Sequence, residues 1–106
     1  MNHTLATSAG PLTVDATEPV PGLRVFETPA AVSPLSTYRW VLAHHDEQAL
    51  ASFETEEAAT SAAEAVGPLA DWTRNAMTTA NEISLGGHVD RLTTLLREAG
   101  GQHPNA

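Results

Sequence analysis

The sequence predicts an α+β fold, with a small antiparallel sheet of three or four strands followed by about three helices. Three observations lead there. Residues suited to strands occupy the first half, the apolar period changes from two to about 3.6 after Phe53, and five of the seven prolines lie at or before position 34. Strands gathered before helices favour α+β over a parallel βαβ sheet.

Taken in order, residues 1–10 are small and polar and read as a disordered tail, residues 11–100 as a single domain, and residues 101–106 as a second tail. Leu12-Thr13-Val14-Asp15-Ala16 alternates weakly, and Leu23-Arg24-Val25-Phe26-Glu27 does so more clearly. Between them Pro19-Val20-Pro21-Gly22 is a turn signal, and Pro29 to Ser36 reads as a loop. Thr37 to His44 forms the strongest strand, with Tyr38, Trp40 and Leu42 on one face. A polar turn, His45-Asp46-Glu47-Gln48, leads to a second run, Ala49 to Phe53, which completes a hairpin. The turn has no glycine, so a loop of four or five residues fits better than a type I′ turn.

The first helix begins at Thr55, an N-cap, with Glu56 and Glu57 suited to the positive end of the helix dipole. Ala58, Ala59, Ala62, Ala63 and Val66 form a face of small residues that can lie close to a sheet, and Gly67-Pro68 stops the helix. A second helix is expected from Leu69 or Ala70 to about Ile83, with Leu69, Trp72, Ala76 and Ile83 on one side. Ser84 to Gly87 is a break. The third helix, Val89 to about Ala99, carries a stripe of Val89, Leu92, Leu95 and Leu96.

Composition narrows the function. The chain has 106 residues, 13 acids and 5 bases, for a net charge of −8, and every base is an arginine. So few bases argue against a nucleic-acid reader or a lipid-surface binder. Without cysteine there is no disulfide, zinc knuckle or thiol nucleophile. The start lacks a signal-peptide pattern, and no apolar run approaches a membrane span, so a cytoplasmic location is expected. Much of the 42% apolar share is alanine, which buries little area, so a homodimer contact or a bound protein partner would add stability.

No catalytic motif emerges. There is no G-x-S-x-G elbow, P-loop or dinucleotide fingerprint, and no cofactor is implied. His44-His45-Asp46-Glu47 is the one cluster with metal-ligand chemistry. Adjacent histidines on a strand point to opposite faces, so a solvated hairpin tip is the expected reading and a metal or enzymatic site the alternative. Glu54, Glu56, Glu57, Glu64 and Asp71 form an acidic stretch, read as a solvated helix face or as a surface for a basic partner. Trp72 is read as a core side chain or an exposed interface anchor.

Ala51-Ser52-Phe53-Glu54-Thr55-Glu56-Glu57-Ala58 resembles the F-x-T-x-x-x-A junction where a hairpin enters a helix, as in the arm-type DNA-binding domains of tyrosine integrases. Those domains have basic strands, whereas this hairpin has Arg39 alone, so the resemblance implies the junction and not DNA binding. In composition the whole chain resembles small uncharacterised actinobacterial proteins, some encoded on mobile elements. The expectation is therefore a small acidic, non-enzymatic interaction or regulatory module. Trp72, Glu54, Glu56, Glu57, Glu64 and Asp71 are its candidate contacts, and an acidic decoy of a nucleic-acid-binding protein is an alternative.

Overall fold

The computed structural model describes residues 2–7, 10–28, 38–46 and 49–101. The fold is α+β, a five-stranded antiparallel meander followed by helices. The strands are β1 (Asn2–Thr7), β2 (Gly10–Val20), β3 (Leu23–Glu27), β4 (Trp40–His44) and β5 (Ala49–Phe53). The helices are α1 (Glu56–Val66), α2 (Ala76–Leu85) and α3 (Val89–Glu98), with a 3₁₀ turn at Gly67–Leu69.

The expectation of three or four strands is corrected to five, and the added strand is β1, from residues read as a tail. It pairs with the first half of β2, from Asn2 opposite Asp15 to Thr7 opposite Gly10, while the second half of β2 pairs with β3. The expected loop over 29–36, the start of the strong strand at Thr37, and the tail beyond 101 lie outside the described residues. The hairpin of β4 and β5 forms as expected, but β4 begins at Trp40, with Tyr38 and Arg39 ahead of the strand, and the register shifts at Leu42/Ala43.

Two-residue alternation gives the sheet two apolar faces. Leu23, Val25, Leu42, Ala51 and Phe53 lie under α1, packed with Ala59, Ala62, Ala63 and Val66, all four of them fully buried. Alanine makes this possible, because a helix with so little side chain on its inner face can approach the strands closely. The cap behaves as its residue type dictates, with the Thr55 hydroxyl accepting the Ala58 N–H at 3.1 Å. On the opposite face Ala16, Phe26, Val41 and Ala43 form a second cluster. His3 stacks on Phe26 there with ring centroids 4.9 Å apart and accepts from the Arg24 guanidinium at its Nδ1.

The second helix is the main departure. It begins at Ala76, six or seven residues later than the sequence suggests, because Asn75 is its N-cap and accepts the Thr78 N–H at 2.8 Å. Residues 70–75 are a loop held by its own Asp71–Thr73 bonds and by groups from α2 and the hairpin turn, so Leu69 and Trp72 do not belong to α2. The third helix matches its expected start, but Val89 is half exposed, and Leu92, Leu95 and Leu96 are only half-buried. Among the described residues, no helix is long and apolar enough to cross a membrane.

Candidate functional site: a cavity against His44

The turns at one end of the sheet and the 70–75 loop meet. In the β2–β3 turn, Pro21 fixes its own φ and Gly22 adopts φ +89°, the pattern of a type II turn. A Cβ on Gly22 would lie 2.1 Å from the Trp72 carbonyl oxygen, so only glycine lets the two backbones approach this closely. The His45 N–H donates to the Gly22 carbonyl at 2.9 Å. The His45 Nε2–H faces the Thr73 and Arg74 carbonyls at 3.1 and 2.9 Å. Asp46 reaches further and accepts the Ala76 N–H, in the first turn of α2, at 3.2 Å. Two hairpin turns thus clamp the loop that precedes α2.

That loop is also tied to its own helix. The Asp71 N–H donates to Glu82 and its carbonyl accepts from the Thr79 hydroxyl, each at 3.1 Å. The Asp71 carboxylate accepts from the Thr73 hydroxyl and N–H and pairs with Arg74 at 3.4 Å. The Thr73 hydrogen bonds, with the Arg74 cation adding to them, hold the Asp71 carboxyl below the usual carboxylate range. Trp72 is carried inward, 3% exposed, with its Nε1–H donating to the Val66 carbonyl at 3.1 Å. The reading of Trp72 as an exposed interface anchor is corrected accordingly, because its indole belongs to the core.

The solvated hairpin tip is corrected as well. His44 ends β4 on the face shared by Trp40 and Leu42 and is 2% exposed. His45 lies in the turn, so strand alternation no longer separates the two rings, and their centroids are 4.2 Å apart. The clamp engages the His45 ring at Nε2 and the Asp46 carboxylate at Oδ2. Among the described residues, no three His, Asp or Glu side chains are grouped to hold a metal ion. Glu47 lies outside the described residues.

Behind the clamp, between β4–β5, α2 and α3, is a cavity of about 230 Å³. Trp72, Ile83, Leu50 and Leu92 supply apolar walls, and Thr79 and His44 bring the polar groups. It opens on the side of Ala80 and Val89, the two lining residues that are exposed. The His44 Nδ1 accepts the Asp46 N–H at 3.0 Å, so a neutral ring carries its proton on Nε2. Nε2 is buried and has no hydrogen-bond partner. Burial lowers the His44 pKa and the neighbouring His45 lowers it further, while the Arg74 carbonyl and Asp46 carboxylate oppose this more weakly. His44 is therefore held neutral.

The sign of its effect on stability follows. The unfolded chain takes up a proton near the ordinary value of 6.5 whereas the folded chain resists it. The contribution is complete above that pH and is lost as pH falls below it, by at most about 1.4 kcal/mol per pH unit. Urea midpoints measured from pH 8 to pH 5 are expected to drop through this window. His44→Asn, which keeps an acceptor for Asp46 but cannot titrate, should flatten the drop. An equal drop in both proteins would assign it to another group.

Of the acidic candidates, Glu54, Glu56, Glu57 and Glu64 are exposed, the last three on α1. Asp71 is exposed but committed to Thr73 and Arg74, and so is not part of that surface. Reading the sequence missed the burial of His44, although its position two residues beyond Leu42 on the inner face of β4 was the available signal. It also missed Thr79 and Leu50, which carry no local mark. No family model, curated protein or solved structure matches the chain.

Proposed function

We propose that the protein is a small acidic, cytoplasmic, non-enzymatic regulatory module that acts by binding, with the cavity against His44 as its seat. The observation that carries this reading is an apolar space beside a buried imidazole. Its 230 Å³ sits between the ~150 Å³ that holds a benzene and the ~300 Å³ where drug-sized sites begin. The occupant is thus one ring or one branched apolar group. Catalysis is disfavoured by the partners of the polar groups. His44 Nδ1 takes a backbone N–H where a triad would place a carboxylate, and the Thr79 hydroxyl donates to Asp71.

Benzene titration followed by amide and side-chain NMR tests the seat. Shifts are expected at His44, Trp72, Ile83 and Leu92, saturating in the millimolar range or below, with none for an Ala80→Trp variant that fills the mouth. If benzene and pressurised xenon both leave these resonances unmoved, the cavity is not a binding seat. A second reading, a protein partner held on α1, is favoured by the exposed Glu56, Glu57 and Glu64 on a helix with no basic residue. It predicts complexes that dissociate steeply with salt.

A further inference from the structure

From the bonds that hold the His44–Asp46 turn, we infer that this turn is an acid-operated latch on the cavity. A proton taken up at His44 Nδ1 releases the loop that forms part of the cavity wall. The inference rests on the cavity being the seat of binding and adds how that seat is regulated.

His44 Nδ1 accepts the Asp46 N–H at 3.0 Å, so in the neutral ring it is the nitrogen without a proton and the place where a second one must go. An imidazolium N–H there meets the Asp46 N–H donor to donor, and one of the two has to move. Asp46 is the one that can, being exposed in the turn, whereas His44 is 2% exposed at the end of β4. The same residue closes the clamp. Its carboxylate accepts the Ala76 N–H at 3.2 Å, and the adjacent His45 Nε2–H faces the Thr73 and Arg74 carbonyls. That carboxylate is also the anion beside the new cation, so it exchanges the Ala76 N–H for a bond charged at both ends. Either movement frees Ala76, which lines the cavity together with Trp72. A proton on His45 leaves its Nε2–H in place, so that ring does not open the clamp. Across the clamp Arg74 is committed to Asp71 and Glu82 at 3.4 and 3.6 Å. The cavity residues from β5, α2 and α3, among them Leu50, Thr79 and Leu92, are uncharged. Burial holds His44 below its ordinary value, so the latch is shut at neutral pH and opens in acid. Proton and occupant favour opposite states of the clamp, and each weakens the other's binding by the same factor.

NMR of the full chain from pH 7.5 to pH 5 tests the latch, with benzene as the occupant and amide exchange read at Ala76. The protection of the Ala76 N–H is expected to fall in step with the titration of the His44 ring, while Val25 and Leu42 in the core stay protected. Over the same window the apparent Kd for benzene should rise by up to about tenfold per pH unit. Saturating benzene should in turn lower the pH at which the His44 ring titrates. His44→Asn keeps an acceptor for the Asp46 N–H but takes no proton, so both pH effects should vanish. Where that variant does not fold, the coincidence of the Ala76 and His44 titrations in the unaltered protein decides. An Ala76 amide that stays protected while His44 titrates overturns the latch. Protection lost together at Ala76, Val25 and Leu42 is global unfolding and overturns it equally. Failure of benzene to bind at pH 7.5 overturns the seat, and the Ala76 amide then still reads the latch.

Discussion

Replacing Gly22 by alanine is expected to cost more than about 3 kcal/mol, a large part of the about 5–15 kcal/mol that holds a domain of this size folded. Two costs combine. A side chain at φ +89° carries backbone strain of about 1–3 kcal/mol. The new Cβ would also overlap the Trp72 carbonyl at 2.1 Å, and backbone on backbone has no flexible end to give way. Relief requires the β2–β3 turn to move, which breaks the His45 N–H to Gly22 bond and loosens the clamp on the 70–75 loop. Gly87 provides the control, since it has φ +73° and nothing within 4 Å of a built Cβ. Gly87→Ala should show the strain alone, about 1–2 kcal/mol. Urea unfolding of the two variants measures the difference, and equal losses would mean that the approach to Trp72 is not a tight contact.

Trp72→Ala is expected to cost about 3–5 kcal/mol, the range for removing a large buried ring. The indole is 3% exposed, touches the main core cluster and forms a wall of the cavity, so its loss enlarges an existing space. The Val66 carbonyl at the end of α1 also loses its Nε1–H partner. Against a total of about 5–15 kcal/mol for a domain of this size, the variant should be marginally folded. Trp72→Phe keeps most of the apolar area and should fall about midway, the remainder reflecting the unpartnered carbonyl. Guanidinium unfolding followed by circular dichroism reads all three proteins. A Trp72→Ala loss below about 1 kcal/mol would place the indole outside the core.

These residues also show where reading the sequence ran out. The first helix was legible because everything that defines it is local, namely the Thr55 cap, two glutamates in the first turn, an alanine face and Gly67-Pro68 at its end. The β4–β5 hairpin was legible from period and residue type. The 70–75 loop was not. Leu69, Trp72, Ala76 and Ile83 recur at spacings that imitate a helix face, while the groups that hold the loop out of helix come from Glu82, Thr79 and the hairpin turns. Strand β1 was missed for a related reason. Asn2 to Thr7 alternates too weakly to mark a strand, and its place is set by six paired residues of β2. Of the candidate site, the pairing of His44, His45 and Asp46 was seen as a cluster, but its burial depends on helices 30 residues away, and so its role was invisible locally.

The contact between Asp46 and the Ala76 N–H bears on how the chain finds its shape. With two threonines, an asparagine and a serine among ten residues, α2 has little intrinsic drive to coil, and part of its nucleation is supplied by a carboxylate on the far side of the sequence. The sheet therefore acts as the template on which the second helix sets its starting point. Helicity in the C-terminal half becomes a gauge of whether the hairpin turns have closed. Loosening either turn should be visible at 222 nm even though no helical residue has been touched.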